Sequence, residues 1–97
     1  MNDISVQELR ARDGVPLIDV REAHEFAAGR VPGAVNIPMS ELGARLDELP
    51  AEAFDVICEV GGRSARVVEA LSARGYEATN VAGGTSAWRE AGFDVEA

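Results

Sequence analysis

The sequence predicts an α/β fold in which a mainly parallel sheet is covered by helices on both faces. Segments with helical spacing of apolar residues alternate with short apolar runs, and glycine or proline separates many of them. This alternation is typical of β–α–β units, whose connecting helices pack on the sheet. The chain has no internal repeat, linker or low-complexity tract, so residues 1–97 are expected to form a single domain.

The first third of the chain supports this fold class element by element. Ser5 and Glu8 have the spacing of a capping box, which predicts a helix beginning in residues 5–9. Residues 15–20 form an apolar run with a proline near its start, where a strand needs no ladder N–H, and they are predicted to be a strand. Residues 22–28 then suit a short helix that ends before a glycine.

The middle of the chain repeats the pattern. Residues 34–37 are predicted to be a second strand because prolines and a glycine isolate this apolar run on both sides. Residues 40–49 are predicted to be a helix, since Leu42, Leu46 and Leu49 recur at helical spacing and a proline follows.

The last part of the chain adds two strands and two helices. Residues 54–57 form a short, wholly buried strand pattern, and residues 64–74 repeat apolar residues on one helical face. Gly75 stands where a C-terminal cap is expected. Residues 78–82 are predicted to be the last strand and residues 84–91 the last helix.

Composition and charge narrow the function classes. The chain is 46% hydrophobic and 27% charged, which is ordinary for a globular protein. Its net charge of -8 argues against nucleic acid or an anionic membrane surface as a partner. One cysteine cannot form an internal disulfide, and residues 1–4 have neither a basic nor an apolar export signal. We therefore expect a cytoplasmic protein without a cofactor or a metal site.

The lone cysteine is the strongest candidate for chemistry. Cys58 follows the predicted strand at 54–57 and precedes a glycine turn and a helix. Ligands of open parallel sheets bind beyond the carboxyl ends of the strands, where this thiol is placed. Backbone N–H groups of the loop and of the helix start have no intrahelical partner and favour a thiolate, while Gly61 and Gly62 let the loop curl and Arg63 adds a positive charge. Inert packing is the alternative for a free cysteine, but this surrounding sequence favours reactivity.

Several sequence motifs together resemble the rhodanese family. They occur in the family's order and cover essentially the whole chain, from about Ile4 to Val95. The motifs are IDVRE at 18–22, HEF at 24–26, GRVPGAVNIP at 29–38, CEVGGRS at 58–64, and VAGG at 81–84 with AW at 87–88 and AG at 91–92.

The resemblance implies a three-layer rhodanese-like fold with about five strands, and a sulfurtransferase in which Cys58 carries a persulfide sulfur. It also implies that the loop from Glu59 to Ser64 holds the anion and that Arg63 assists. The full loop set is Glu59, Val60, Gly61, Gly62, Arg63 and Ser64. The implied partners are a sulfur donor, such as thiosulfate or a low-molecular-weight persulfide, and an acceptor such as cyanide, a thiol or a protein.

Loop length separates this site from the phosphatase relatives of the fold. Only four residues stand between Cys58 and Arg63, whereas the phosphatase loop has one residue more because a phosphoryl group needs a wider cradle. Two positions depart from the family pattern, Glu59 where a basic residue is common and Arg30 where histidine is common. A carboxylate beside the sulfur opposes thiosulfate binding unless it points away from the loop. A regulatory binding module and a protein sulfur relay remain alternatives to the simple enzyme.

Other candidate residues are expected to be structural. Asp19 and Arg21 are predicted to form a structural ion pair or to brace the loop, with substrate binding as the alternative. Trp88 is predicted to pack its helix on the sheet. His24 is expected at the surface, not in a dyad with the cysteine. The glycine pair at 83–84 lacks the spacing of a phosphate-binding loop and is expected to form a tight turn.

Overall fold

A computed structural model describes residues 2–97 and contains one five-stranded sheet in which all pairings are parallel. The spatial order of the strands is β1-β5-β4-β2-β3. This arrangement confirms the α/β class and the parallel sheet. The strands are β1 (Asp3–Ile4), β2 (Leu17–Asp19), β3 (Val35–Asn36), β4 (Phe54–Ile57) and β5 (Ala78–Val81).

Four α-helices connect or follow these strands. They are α1 (Val6–Ala11), α2 (Ala23–Ala28), α3 (Gly62–Ala73) and α4 (Gly84–Glu90). None of the helices within residues 2–97 combines the length and the apolar character needed to cross a bilayer.

The helix ends follow the predicted chemistry. Ser5 caps α1, and its hydroxyl accepts from the Glu8 N–H while the Glu8 carboxylate accepts from the Ser5 N–H, so the capping box is confirmed. Gly75, at φ +95°, follows the end of α3. There the Tyr76 N–H donates to the Leu71 carbonyl and the Gly75 N–H to the Ser72 carbonyl, which is a Schellman motif.

One expectation for the elements is corrected, and one strand lies outside the predicted elements. Residues 40–49 do not form an α-helix; they form two short 3-10 turns, Leu42–Ala44 and Leu46–Glu48. The backbone of Arg45 leaves helical geometry between them, at φ -124° and ψ 25°. Gly43 weakens a helix at this point, and the turns bury Leu42 without one. The strand β1 was not predicted, because two residues are too few to show a pattern.

The core lies on both faces of the sheet. Alternate residues of β4 point to opposite sides, so Val56 belongs to one apolar cluster and Ile57 to the other. The first cluster contains the buried face of α3 and the second contains residues of α1 and α4. Helices therefore cover both faces, and the central strand β4 carries the chain from this core into the loop that begins at Cys58.

Candidate functional site

Cys58 lies directly after β4, at the carboxyl end of the central strand. Its side chain is 1% exposed, so the sulfur is at the bottom of the loop and not at its rim. Gly61 has φ +104° and precedes α3, which begins at Gly62. A Cβ atom at Gly61 would lie 3.2 Å from the Gly83 nitrogen, so glycine meets both a backbone and a packing requirement. The predicted strand, thiol, glycine turn and helix start are thus in one place.

Neutral hydrogen-bond donors surround the sulfur. The Gly61 N–H donates to Sγ at 3.1 Å and the Ser64 hydroxyl lies 3.2 Å from it. Burial alone raises the pKa of the Cys58 thiol, but the Ser64 hydroxyl and the amides of Ser64, Gly61 and Val60 together lower it below its ordinary value. The loop therefore favours the thiolate through dipoles, as the sequence predicts.

Ser64 is itself held by a residue that the sequence analysis did not select. Its buried hydroxyl lies 2.6 Å from an amide oxygen of Asn80, on β5, and 3.3 Å from the Gly61 carbonyl. Asn80 is 4% exposed. The only signal in the sequence was that two polar residues, Thr79 and Asn80, lie inside the predicted strand at 78–82.

Glu59 follows the cysteine in the chain, but its carboxylate bonds to Arg21, Ser86 and Arg89. Its carboxylate accepts from Arg21 at 3.1 Å, from the Ser86 hydroxyl at 2.7 Å and from Arg89 at 2.9 Å. Burial raises the pKa of Glu59, but Ser86 and the two guanidinium groups outweigh it and lower the pKa. The carboxylate is therefore an ion-pair partner and ties the loop to α4.

Arg63 is also engaged. Its guanidinium forms a two-bond ion pair with the carboxylate of Glu25 on α2, at 2.8 and 2.9 Å. This bond is the main reason why the pKa of Glu25 falls to about 2, so the carboxylate is ionised throughout the physiological range. Glu25 lay within the HEF motif but was not selected, because a contact across 38 positions leaves no local pattern.

Arg21 braces the base of the site. It is 1% exposed and donates to both carboxylate oxygens of Asp19. It also donates to the Gly29 carbonyl at 2.7 Å and to the Glu25 carbonyl at 3.3 Å. The structure thus brings Asp19 and Arg21 together as a buried pair that joins β2, α2 and the loop.

The other candidates lie away from the thiol or face outward. Trp88 is 6% exposed and packs edge to face on Phe93 in the second core cluster. His24 is exposed on α2, and Arg30 stacks over Phe26. Val60 is 68% exposed at the rim of the loop. Within residues 2–97, no cluster of His, Cys, Asp and Glu is placed to hold a metal ion.

The glycine turn and the first residues of α4 hydrogen-bond to the backbone of the cysteine loop. The Thr85 N–H and hydroxyl both donate to the Cys58 carbonyl, and the Ser86 N–H donates to the Glu59 carbonyl at 2.9 Å. Gly84 lies so close that a Cβ atom there would be 2.5 Å from the Cys58 carbonyl oxygen. The backbone around the cysteine is therefore fixed by α4 as well as by α3.

Such a site can hold a thiolate and the anion that forms when it reacts. A nucleophilic sulfur needs a lowered pKa and donors that stay in place during the reaction, and both are present. The lowered pKa of the Cys58 thiol reduces the need for a general base, since the loop donors themselves favour the thiolate.

Comparison with known proteins shows the family and the fold to which the chain is similar. The rhodanese-like domain family matches residues 4–91. A sulfurtransferase of Allochromatium vinosum is 33% identical over 103 residues, covering 100% of this chain and 96% of that protein. The human thiosulfate:glutathione sulfurtransferase is 36% identical over 107 residues, covering 90% of this chain and 92% of that protein. The crystal structure of a rhodanese-related protein from Thermoplasma volcanium superposes with a TM-score of 0.93 at 35% identity, covering 99% and 98% of the two chains.

Proposed function

The chain belongs to the rhodanese-like domain family, and on that premise we propose that it is a sulfurtransferase that carries a sulfane sulfur on Cys58. The observation that supports this proposal is the pair of hydrogen-bond partners of the Cys58 sulfur, the Gly61 N–H at 3.1 Å and the Ser64 hydroxyl at 3.2 Å. Together with the loop amides they lower the pKa of the thiol. Relatives of similar length that are named sulfurtransferases support it independently.

The proposed reaction has two displacement steps. The Cys58 thiolate attacks the outer sulfur of the donor, a new S–S bond forms, and the donor's own S–S bond breaks so that its electron pair leaves as sulfite or a thiolate. A nucleophile such as cyanide, a thiol or a protein thiolate then attacks the outer sulfur of the persulfide and regenerates the thiolate. The loop amides of residues 59–64 would stabilise the anion at each stage.

Loop length argues against a phosphatase, since four residues between Cys58 and Arg63 leave less room than phosphoryl transfer needs. A cytoplasmic location is part of the proposal and rests on the single cysteine, which suits a reducing compartment.

Intact-mass analysis tests the proposal directly. The protein is incubated separately with thiosulfate, with cysteine persulfide and with a persulfidated desulfurase, and the mass of one added sulfur on Cys58 is expected. Cys58→Ser is the matched control and should gain none. Loading only by the desulfurase would identify a protein relay. If no donor loads the wild-type protein, the domain is a binding module and the proposal is wrong.

A further inference from the structure

Three arginines lie around the loop, and each already has an acidic partner. Arg63 pairs with Glu25 at 2.8 Å. Arg21 pairs with Asp19 at 2.9 Å and with Glu59 at 3.1 Å, and Arg89 pairs with Glu59 at 2.9 Å. The three guanidinium charges of this charge-balanced network are therefore cancelled by the three carboxylates.

The reacting sulfur adds one negative charge to that balance. Its direct partners are amides and a hydroxyl, so no cation is committed to it. Once Cys58 is a thiolate, the local sum becomes negative, within a chain whose net charge is already -8. A dianion such as thiosulfate approaches against this charge unless an ion pair opens to receive it.

The most exposed side chain of the loop is apolar, since Val60 is more exposed than Arg63. Val60 is 68% exposed, in the loop position two residues after the cysteine. The residue between them, Glu59, is turned to Arg21, Ser86 and Arg89. An apolar organic group attached to the donor sulfur can bury surface against the Val60 side chain, which favours its binding. An inorganic anion such as thiosulfate has no apolar surface and gains no binding energy from this contact.

We propose that the donor for this site is an organic persulfide and that the Glu25–Arg63 pair sets this preference by withholding the guanidinium from thiosulfate. The inference rests on the proposed sulfurtransferase function. An organic persulfide R–S–SH carries less charge than thiosulfate. The Cys58 thiolate bonds to its outer sulfur, the donor S–S bond breaks, and the electron pair leaves as the thiolate of R, so no oxidant or reductant is consumed.

Donor preference is measured by rapid mixing and intact mass, with cysteine persulfide and thiosulfate compared at equal concentration and low salt. Wild-type protein is expected to load from the persulfide about tenfold faster or more. Glu25→Gln keeps the side-chain shape and the acceptor for the Glu22 N–H but removes the charge on Arg63's partner. The ratio of thiosulfate to persulfide loading is expected to rise about three- to tenfold in that variant, the value of one partly screened charge.

Glu48→Gln is the matched control, because it changes the net charge equally and removes one of the two acidic partners of Arg45, in an exposed ion pair of the 3-10 turns. Its donor ratio should equal that of the wild type. Equal ratios in Glu25→Gln and the wild type, equal rises in both variants, or faster wild-type loading from thiosulfate would each overturn the inference. Failure of both donors to load Cys58 would instead contradict the sulfurtransferase function. The wild-type comparison decides the donor class even if Glu25→Gln does not fold.

Discussion

The Ser64 hydroxyl has a single proton and three acceptors within reach, at 2.6 Å on Asn80, 3.2 Å on the Cys58 sulfur and 3.3 Å on the Gly61 carbonyl. The two ends of a primary amide have the same shape, so Asn80 can also present its NH₂ group to the Ser64 oxygen. In that orientation Asn80 donates, and the hydroxyl proton is free for the sulfur. The structure has the amide oxygen of Asn80 facing Ser64, and from the rotated orientation we expect Asn80 to be a positioning residue for the thiolate, acting through Ser64.

Two substitutions test this relay. Ser64→Ala removes the donor, and Asn80→Asp replaces the amide by a carboxylate that only accepts and therefore draws the hydroxyl proton away from the sulfur. Each is expected to raise the pKa of Cys58, because the sulfur loses the Ser64 hydrogen bond that favours the thiolate. The rate of alkylation by iodoacetamide, measured across pH, should shift to higher pH accordingly.

The double variant distinguishes a relay from simple charge repulsion. In the Ser64→Ala background, Asn80→Asp should shift the alkylation profile by less than it does alone, because the intermediate hydroxyl is absent. A shift of equal size in both backgrounds would show that position 80 acts on the sulfur without Ser64.

At this scale the sequence was informative about the nucleophile and its loop but not about its partners. Cys58 and the glycine turn are neighbours along the chain, so their joint chemistry is visible as a pattern. Glu25 and Asn80 reach the loop from α2 and β5, and only the fold brings them there. The same applies to Glu59, whose effect on an anion depends on Arg21 and Arg89, which the sequence places far away.

At the scale of elements, the start of α4 fixes the backbone of the reactive loop. Gly84 has φ +60°, and a Cβ atom at this position would also lie 2.6 Å from the Glu59 carbonyl oxygen. The positive φ and the close approach to the loop both exclude larger residues at Gly84. The position of α4 and the backbone of the cysteine loop therefore depend on each other.

Gly84→Ala should therefore destabilise the protein by about 2–5 kcal/mol, from the strain of a left-handed alanine together with displacement of the loop. Urea denaturation followed by circular dichroism measures the loss. Gly43→Ala is the matched control, since a Cβ atom at Gly43 would have no neighbour within 4 Å and its φ is not positive. A change in Gly84→Ala no larger than in this control would mean that the loop yields without cost.

The elements that the sequence predicted best are those with a strong local signal. The apolar run of β4 and the one-sided pattern of α3 are confirmed, with α3 starting two residues earlier at Gly62 because the glycine turn itself opens the helix. The helix predicted at residues 40–49 was wrong, because leucines at helical spacing are also compatible with two 3-10 turns around Arg45. Backbone geometry, not apolar spacing, separates those two structures.

At the scale of the whole molecule, one buried acidic side chain opposes stability in its ionised form. Asp55 on β4 is 1% exposed, and among residues 2–97 neither of its carboxylate oxygens has a hydrogen-bond partner. Arg12 approaches only to 3.6 Å. Burial raises the pKa of Asp55, and Arg12 offsets this only in part. Folding therefore favours the protonated acid. Its contribution to the free energy of unfolding is full below the unfolded pKa of about 3.9 and is lost as pH rises through the folded pKa.

Asp55→Asn should consequently be more stable than the wild type at pH 7, by about 1 kcal/mol, with the advantage shrinking as pH approaches 4. Urea denaturation at both pH values checks the sign. Asp47→Asn, at an exposed position, should change stability by less than about 0.5 kcal/mol at either pH. An advantage for Asp55→Asn that grows toward low pH would contradict the assignment of a raised pKa.

The sheet order also determines when the five-stranded sheet can form during translation. The register joins Asp3 to Asn80 and Ile4 to Val81, so within residues 2–97 the first strand pairs with the last. A nascent chain lacking residues 78–81 leaves both β1 and one edge of β4 without their neighbour. Closure of such distant pairs is slow compared with local helix formation. The ribosome must therefore release nearly all of these residues before the thiol loop acquires the β5 side of its environment.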